Sequence, residues 1–284
     1  MSDQRPLISG FLNSASRFPD RPALAIQDQE WSYAELLASA SSITGTIATH
    51  GKGRIPQLVG VFGHRSVVAF SGIIGTLLAG SGYVPLNPAF PAERTQQMIN
   101  RAGLSWIIAE EESLRSLLTV LKQIDEPLSI LVPDLADAGS VNLASAECGH
   151  HQLLGREYLL QVDKVELPQL ESGQLAYLLF TSGSTGIPKG VKVTQRNVAA
   201  FVDVMVDRYD VTENDRLSQT FDLTFDLSAF DMFVAWERGA CVCCPTQGEK
   251  MLPAKYVKAQ NLTIWFSVPS TAIMMKRLRM LKPD

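Results

Sequence analysis

Residues 175–190 read LAYLLFTSGSTGIPKG. The apolar run Leu175 to Phe180 predicts a buried strand. A loop of small hydroxyl residues and glycines follows: Thr181, Ser182, Gly183, Ser184, Thr185 and Gly186. Pro188, Lys189 and Gly190 close the stretch. Glycine lets backbone N–H groups approach an anion closely and adopt conformations closed to other residues. Successive N–H groups in such a loop form a nest for phosphate oxygens. The hydroxyls add donors and Lys189 adds a positive charge, so the stretch reads as a polyphosphate-binding loop.

It differs from the P-loop G-x-x-x-x-G-K-[ST], whose final hydroxyl holds magnesium. Here Gly190 follows Lys189. SGSTG alone also fits an ordinary Gly/Ser-rich surface loop. The buried-strand run before it and Pro-Lys-Gly after it argue for the phosphate reading.

Working outward, helical and strand signals alternate. Leu7, Phe11, Leu12, Ala15 and Phe18 have helical spacing and end before Pro19. Ala23 to Gln27 and Glu30 to Tyr33 read as a small hairpin, and Ser32 with Glu35 as a capping box for a helix towards Thr49. Leu58 to Gly63 reads as a buried strand, Ser66 to Leu78 as an apolar helix, and Pro91 as the start of another. Trp106 to Ala109 and Ser129 to Val132 predict strands; 134–172, polar with scattered Gly, Ser and His, predicts a connection between units with room for a short strand. Beyond the loop, Val191 to Val193 and Leu262 to Phe266 predict strands. Helices are expected from Gln195 to about Arg208, after Phe225, and from Pro269 to about Leu281. This alternation predicts an α/β fold with a largely parallel sheet. The expected division is a first α/β subdomain over 1–170 and a second over 171–284.

Bulk composition excludes several classes. The chain has 284 residues and a net charge of −4, with no basic run to suggest a nucleic-acid surface. No apolar stretch approaches the ~20 residues that span a bilayer, and no signal peptide is evident. A cytoplasmic protein without a membrane partner is expected. Cys241, Cys243 and Cys244 form CVCCP, but no second ligand cluster accompanies them, so a buried strand is expected rather than a metal site. His50, His64, His150 and His151 show no metal spacing.

The loop string resembles the signature of the adenylate-forming (ANL) superfamily, which includes amino-acid adenylation domains of nonribosomal peptide synthetases, acyl-CoA synthetases and firefly luciferase. Three further stretches agree in order and spacing. Trp31 to Leu36 (WSYAEL), Leu77 to Arg94 (LLAGSGYVPLNPAFPAER) and Phe225 to Ser228 (FDLS) resemble its first, second and fourth core motifs.

The resemblance implies ATP-dependent activation of an amino acid as an aminoacyl-adenylate, then transfer to the phosphopantetheine thiol of a carrier protein or to coenzyme A. It assigns Thr181, Ser182, Gly183, Ser184, Thr185, Gly186 and Lys189 to the β- and γ-phosphates of ATP, with Mg²⁺ sharing the charge. Asp226 would pair with the substrate ammonium, each compensating the other's desolvation. Leu227, Phe230 and Ser267 would line the side-chain pocket, suiting a small or medium apolar amino acid, α or β. Asp226 also fits a helix N-cap, and Asp222 and Asp231 lie close by. The family's later motifs include the carboxylate for magnesium, the aspartate for the ribose, and a small C-terminal domain with its lysine. They fall beyond Asp284. The expectation is therefore an N-terminal portion of the large domain, without certain catalytic or metal residues and nearly inactive alone. An acyl-CoA or aryl-acid ligase and a non-catalytic nucleotide-binding relative are the alternatives.

Overall fold

The computed structural model describes residues 5–51, 54–160, 170–181 and 188–277. Its strands are β1 (Pro22–Ile26), β2 (Gln29–Ser32), β3 (Leu58–Phe62), β4 (Gly82–Leu86), β5 (Trp106–Ala109), β6 (Ser129–Leu131), β7 (Gln152–Leu154), β8 (Leu175–Thr181), β9 (Lys189–Thr194), β10 (Arg216–Ser218) and β11 (Cys241–Cys244). The chain forms two compact units, one of Met1–Ile8 with Leu37–Ala199 and one of Ser9–Leu36 with Ala200–Asp284.

The first unit carries a seven-stranded sheet in the order β7-β6-β5-β3-β4-β8-β9. It is parallel except for the antiparallel pair β8–β9. Every residue of β3, β4 and β5 is buried, as expected for parallel strands covered on both faces. Successive residues alternate between two cores. Leu58, Phe62, Ile107, Ile130 and Leu153 join Met98, Ile99, Leu117, Leu121 and Ala144 from the helices Ala92–Ala102, Glu111–Leu121 and Ala138–Glu147. Val59, Ile108, Leu131 and Leu154 join Ile43, Ile47 and Val68 from the helices Tyr33–His50 and Val67–Leu78. Those last two helices approach closely at Gly75. A Cβ there would sit 2.7 Å from the Ala40 carbonyl oxygen, and the Thr44 hydroxyl donates to the Gly75 carbonyl at 2.9 Å.

The caps follow the local sequence. The Ser32 amide donates to Glu35 Oε2 at 2.8 Å and the Glu35 amide to Ser32 Oγ at 3.2 Å, completing the capping box. Ser66 Oγ accepts from the Ala69 amide at 3.2 Å.

The second unit has a four-stranded sheet in the order β10-β11-β1-β2, parallel up to β1 and closed by the β1–β2 hairpin. Trp236 is fully buried and its indole N–H donates to the Ala23 carbonyl at 3.0 Å. Gly239 ends the helical run at φ +87°, where a Cβ would meet the Phe18 ring at 2.5 Å.

Three expectations change. The boundary expected between 170 and 171 does not coincide with the observed division, because β8 pairs with β4 and β1 pairs with β11. Besides the short strand expected there, the edge strand β7, the 134–172 connection contains the helix Ala138–Glu147, capped by Asp137. That helix turns small residues, Ala144 and the following Cys148, into the core, which leaves little apolar periodicity to read. Of Leu262 to Phe266, only Ile264 forms a bridge, to Leu217. The Ser218 hydroxyl takes the Phe266 amide at 2.9 Å in place of a ladder bond. CVCC, by contrast, is the buried strand expected, with all four cysteines of the chain free. Among the described residues no helix is long and apolar enough to cross a membrane.

Candidate functional site

In open α/β sheets, ligands favour the crevice at the carboxyl ends of strands where the strand order reverses. Here β3 leads to β4 on one side while β5 leads to β6 on the other, so that crevice lies beyond Phe62 and Ala109. The protein fills it with its own carboxylate. Glu110 is 3% exposed. Its Oε1 accepts from the His64 amide at 2.8 Å and from the Ser113 hydroxyl at 2.6 Å. Gly63 permits this, since a Cβ there would lie 3.0 Å from the carboxylate. An open groove of about 550 Å³ in the same unit is lined by Ser39, Ser42, Ser71, Asp134 and Arg156, among others. Among the described residues, none of those assigned to the site from the sequence lines it.

The candidate phosphate element stands elsewhere on this sheet. β8 is buried from Ala176 to Phe180 and emerges at Thr181, which is exposed. The chain returns as β9, with Thr181 opposite Lys189. The Thr181 hydroxyl donates to the Lys189 carbonyl at 3.4 Å. Two strands thus hold both ends of the loop, with Lys189 exposed on the edge strand. Ser182, Gly183, Ser184, Thr185 and Gly186 lie outside the described residues. Among the described residues no hydrogen bond or ion pair involves the Lys189 ammonium.

The candidate acid-binding segment belongs to the second unit. Asp222 Oδ1 accepts from the Thr224 amide at 3.0 Å and its hydroxyl at 2.6 Å. This Asx turn is local side-chain-to-backbone bonding. The Phe225 amide donates to the Asp222 carbonyl and the Ser228 amide to the Phe225 carbonyl, each at 3.0 Å. These nested turns leave Phe225 60% and Leu227 37% exposed, with Asp226 exposed between them. Asp226 occupies the N-cap position, yet its side chain makes no cap hydrogen bond. Among the described residues nothing bonds its carboxylate. Asp231, one helical turn on, is fully buried. The three neighbouring aspartates are therefore distinct: Asp222 holds a turn, Asp231 lies in the core, and Asp226 faces solvent.

The helical run from Leu227 widens to a π turn over Phe230–Val234, a feature frequent at functional sites. Phe230 is 5% exposed and centres an aromatic group. Phe266 lies 4.6 Å away, Tyr209 5.8 Å and Phe201 6.4 Å, with Phe221 tilted against Phe266 at 5.0 Å. The structure thus brings Phe230 and Phe266 together, while the Ser267 hydroxyl donates to the Val268 carbonyl at 3.2 Å. Phe221 and Phe266 were not marked from the sequence. Their separation along the chain leaves no local pattern, and only the packing of Phe266 on Phe230 and of Phe221 on Phe266 reveals them.

Residues 11–284 match the family described as AMP-binding enzyme. The chain is 28% identical over 272 residues to the L-proline--[L-prolyl-carrier protein] ligase of Pseudomonas fluorescens, covering 93% of this chain and 50% of that protein. It is 31% identical over 265 residues to gramicidin S synthase 2 of Brevibacillus brevis, covering 91% of this chain and 5% of that protein. Among solved structures, IdnL7 superposes with a TM-score of 0.83 at 32% identity, over 98% of this chain and 53% of that one. The Vibrio cholerae adenylation domain AlmE, in complex with glycyl-adenosine-5'-phosphate, superposes with a TM-score of 0.87 at 26% identity, over 98% and 52%. The chain spans about half the length of the proline ligase and of these two structures.

Proposed function

The chain belongs to the AMP-binding enzyme family, and we propose that it provides the ATP- and amino-acid-holding part of a ligase that activates an amino acid as its adenylate. The substrate carboxylate attacks the α-phosphorus of ATP, and pyrophosphate leaves. In such in-line chemistry the protein positions groups and neutralises charge. Thr181, Ser182, Gly183, Ser184, Thr185, Gly186 and Lys189 hold the departing β- and γ-phosphates. Asp226 receives the substrate ammonium, and Leu227, Phe230 and Ser267 face its side chain, with Phe266 backing Phe230. Mg²⁺, a hard cation suited to phosphate oxygens, enters with the nucleotide; among the described residues no cluster of three or more His, Cys, Asp or Glu is placed to hold a metal. The aminoacyl group then passes to the phosphopantetheine thiol of a carrier protein. The setting of the reaction is secondary-metabolite biosynthesis in the cytoplasm.

The observation that carries this reading is the contrast among the three aspartates. Of the three, Asp226 alone presents a solvent-exposed carboxylate, one that accepts no hydrogen bond among the described residues, at the exposed start of a helical run beside an aromatic group. The name of the proline ligase and the glycyl-adenylate in AlmE support an amino-acid substrate.

ATP–pyrophosphate exchange by the polypeptide as it occurs naturally tests the reading, run with amino acids and their deaminated counterparts. Exchange should require the amino group. Asp226→Asn should lower kcat/KM for the amino acid by about ten- to a hundredfold, the worth of one charge-assisted bond. Exchange with plain acids would move the protein to the acyl-CoA and aryl-acid ligases and leave Asp226 as a helix-end residue.

A further inference from the structure

We propose that Cys241 and Cys243 are an oxidisable thiol pair that hydrogen peroxide converts reversibly to a disulfide within β11. The two residues alternate with Val242, so their side chains share one face of the strand. Their sulfurs lie 3.9 Å apart, in a small core with Ala25, Tyr256 and Leu262. Residues two apart on a strand are separated by roughly 6.6–6.8 Å, at the long end of the Cα separation a disulfide tolerates. Parallel side chains on one strand face keep their Cβ atoms about as far apart, beyond the roughly 3.5–4.5 Å of a relaxed disulfide, so closure bends β11 between its neighbours and that strain keeps the link reducible.

The surroundings favour reaction at Cys243. Arg216 sits opposite Cys241 on β10, bonded to the Gln260 carbonyl at 2.7 Å and paired with Glu30 at 2.9 Å. The contact with Cys241 and the guanidinium charge draw the Cys243 thiol below its ordinary value, while bonding to Cys243 and burial push Cys241 up. One sulfur is thus the better thiolate and its neighbour is the resolving thiol, the arrangement of a redox-responsive pair. Both thiols are buried, so a small oxidant reaches them only when the fold opens beside them, where Arg216 and Glu30 are 22% and 47% exposed.

The chemistry balances. The Cys243 thiolate attacks one peroxide oxygen and the O–O bond breaks. Hydroxide leaves and takes a proton to become water, and Cys243 becomes a sulfenic acid. The Cys241 sulfur then attacks the Cys243 sulfur. The S–S bond forms, the S–O bond breaks, and hydroxide departs as water with the Cys241 proton. Two thiols and one peroxide yield one disulfide and two waters. Closure would draw on the Cys243 carbonyl, which accepts from the Gln219 amide at 2.7 Å and the Tyr256 hydroxyl at 2.6 Å.

Intact mass spectrometry with alkylation of remaining thiols tests this on the whole chain. Peroxide should remove two hydrogens and two alkylatable thiols, and dithiothreitol should restore both. Fragmentation of the peptide holding Cys241, Cys243 and Cys244 should place the link between Cys241 and Cys243. Cys244→Ser should still oxidise, whereas Cys241→Ser should not, with circular dichroism checking that both fold. Full alkylation after peroxide, stable oxygen addition in place of the link, or a link surviving in Cys241→Ser would overturn the assignment. Peptide mapping of the unaltered chain decides the matter even if a variant misfolds.

Discussion

Glu110→Ala tests whether the crevice at the carboxyl ends of β3 and β5 is a structural plug. The carboxylate accepts the His64 amide at 2.8 Å and the Ser113 hydroxyl at 2.6 Å from a position only 3% exposed. Removing it strands one buried donor, the Ser113 hydroxyl, and one partly buried donor, the His64 amide. A buried donor left without a partner costs about 1–3 kcal/mol and the partly buried amide less, so a loss of about 3 kcal/mol is expected. A unit of this size loses about 2–4 °C in melting temperature per kcal/mol, which gives roughly 6–12 °C. Glu110→Gln keeps an acceptor but loses the charge, and should cost about 1–2 kcal/mol. Circular dichroism melts and urea titrations measure the global loss. Hydrogen exchange of the segment 58–78 measures it locally, since the His64 amide should exchange faster. An Ala variant within about 0.5 kcal/mol of the parent, the usual range for an uninvolved surface change, would refute the plug. The crevice would then return as a candidate ligand site.

Further outcomes are expected from other positions. Gly75→Val should cost about 1–3 kcal/mol by overpacking against the Ala40 carbonyl and Ile43, seen as a lower melting temperature. His151 Nδ1 accepts from the Leu128 amide and its Nε2 contacts the Leu121 carbonyl, both at 3.1 Å, so the neutral ring with Nε2–H fits. Burial lowers its pKa, aided by His150 and opposed by Leu121. The unfolded chain then binds this proton more readily, so its contribution is full above pH ~6.5 and declines as pH falls below it. Urea midpoints measured from pH 7 to pH 5 should show this decline, and His151→Gln should flatten it. Lys189→Ala should raise KM for ATP about ten- to a hundredfold, the worth of a charge-assisted phosphate bond, without changing which acid is preferred in the exchange assay. A changed acid preference would count against a phosphate role.

Much of the fold was legible locally. Ser32 with Glu35 and Ser66 announced helix starts because a cap is made within four residues. LVGVF and WIIA announced buried strands because both faces of a parallel sheet are covered. The FDLS segment was legible as a motif, although nothing local separated Asp226 from Asp222 and Asp231. Their roles diverge because one carboxylate meets Thr224, one turns into the core, and one is left outside. The helix Ala138–Glu147 escaped notice because the residues it buries are small.

The sequence by itself determined the alternating elements, their caps, the hydroxyl- and glycine-rich loop and the family resemblance. All of these are written in residues close together along the chain. Only the tertiary structure decided that β8 and β9 complete the first sheet, that β1 runs beside β11, that Glu110 fills the crevice, and that Phe266 meets Phe230. Those outcomes rest on pairings between distant residues, whose burial and hydrogen bonds exist only once the chain has closed on itself.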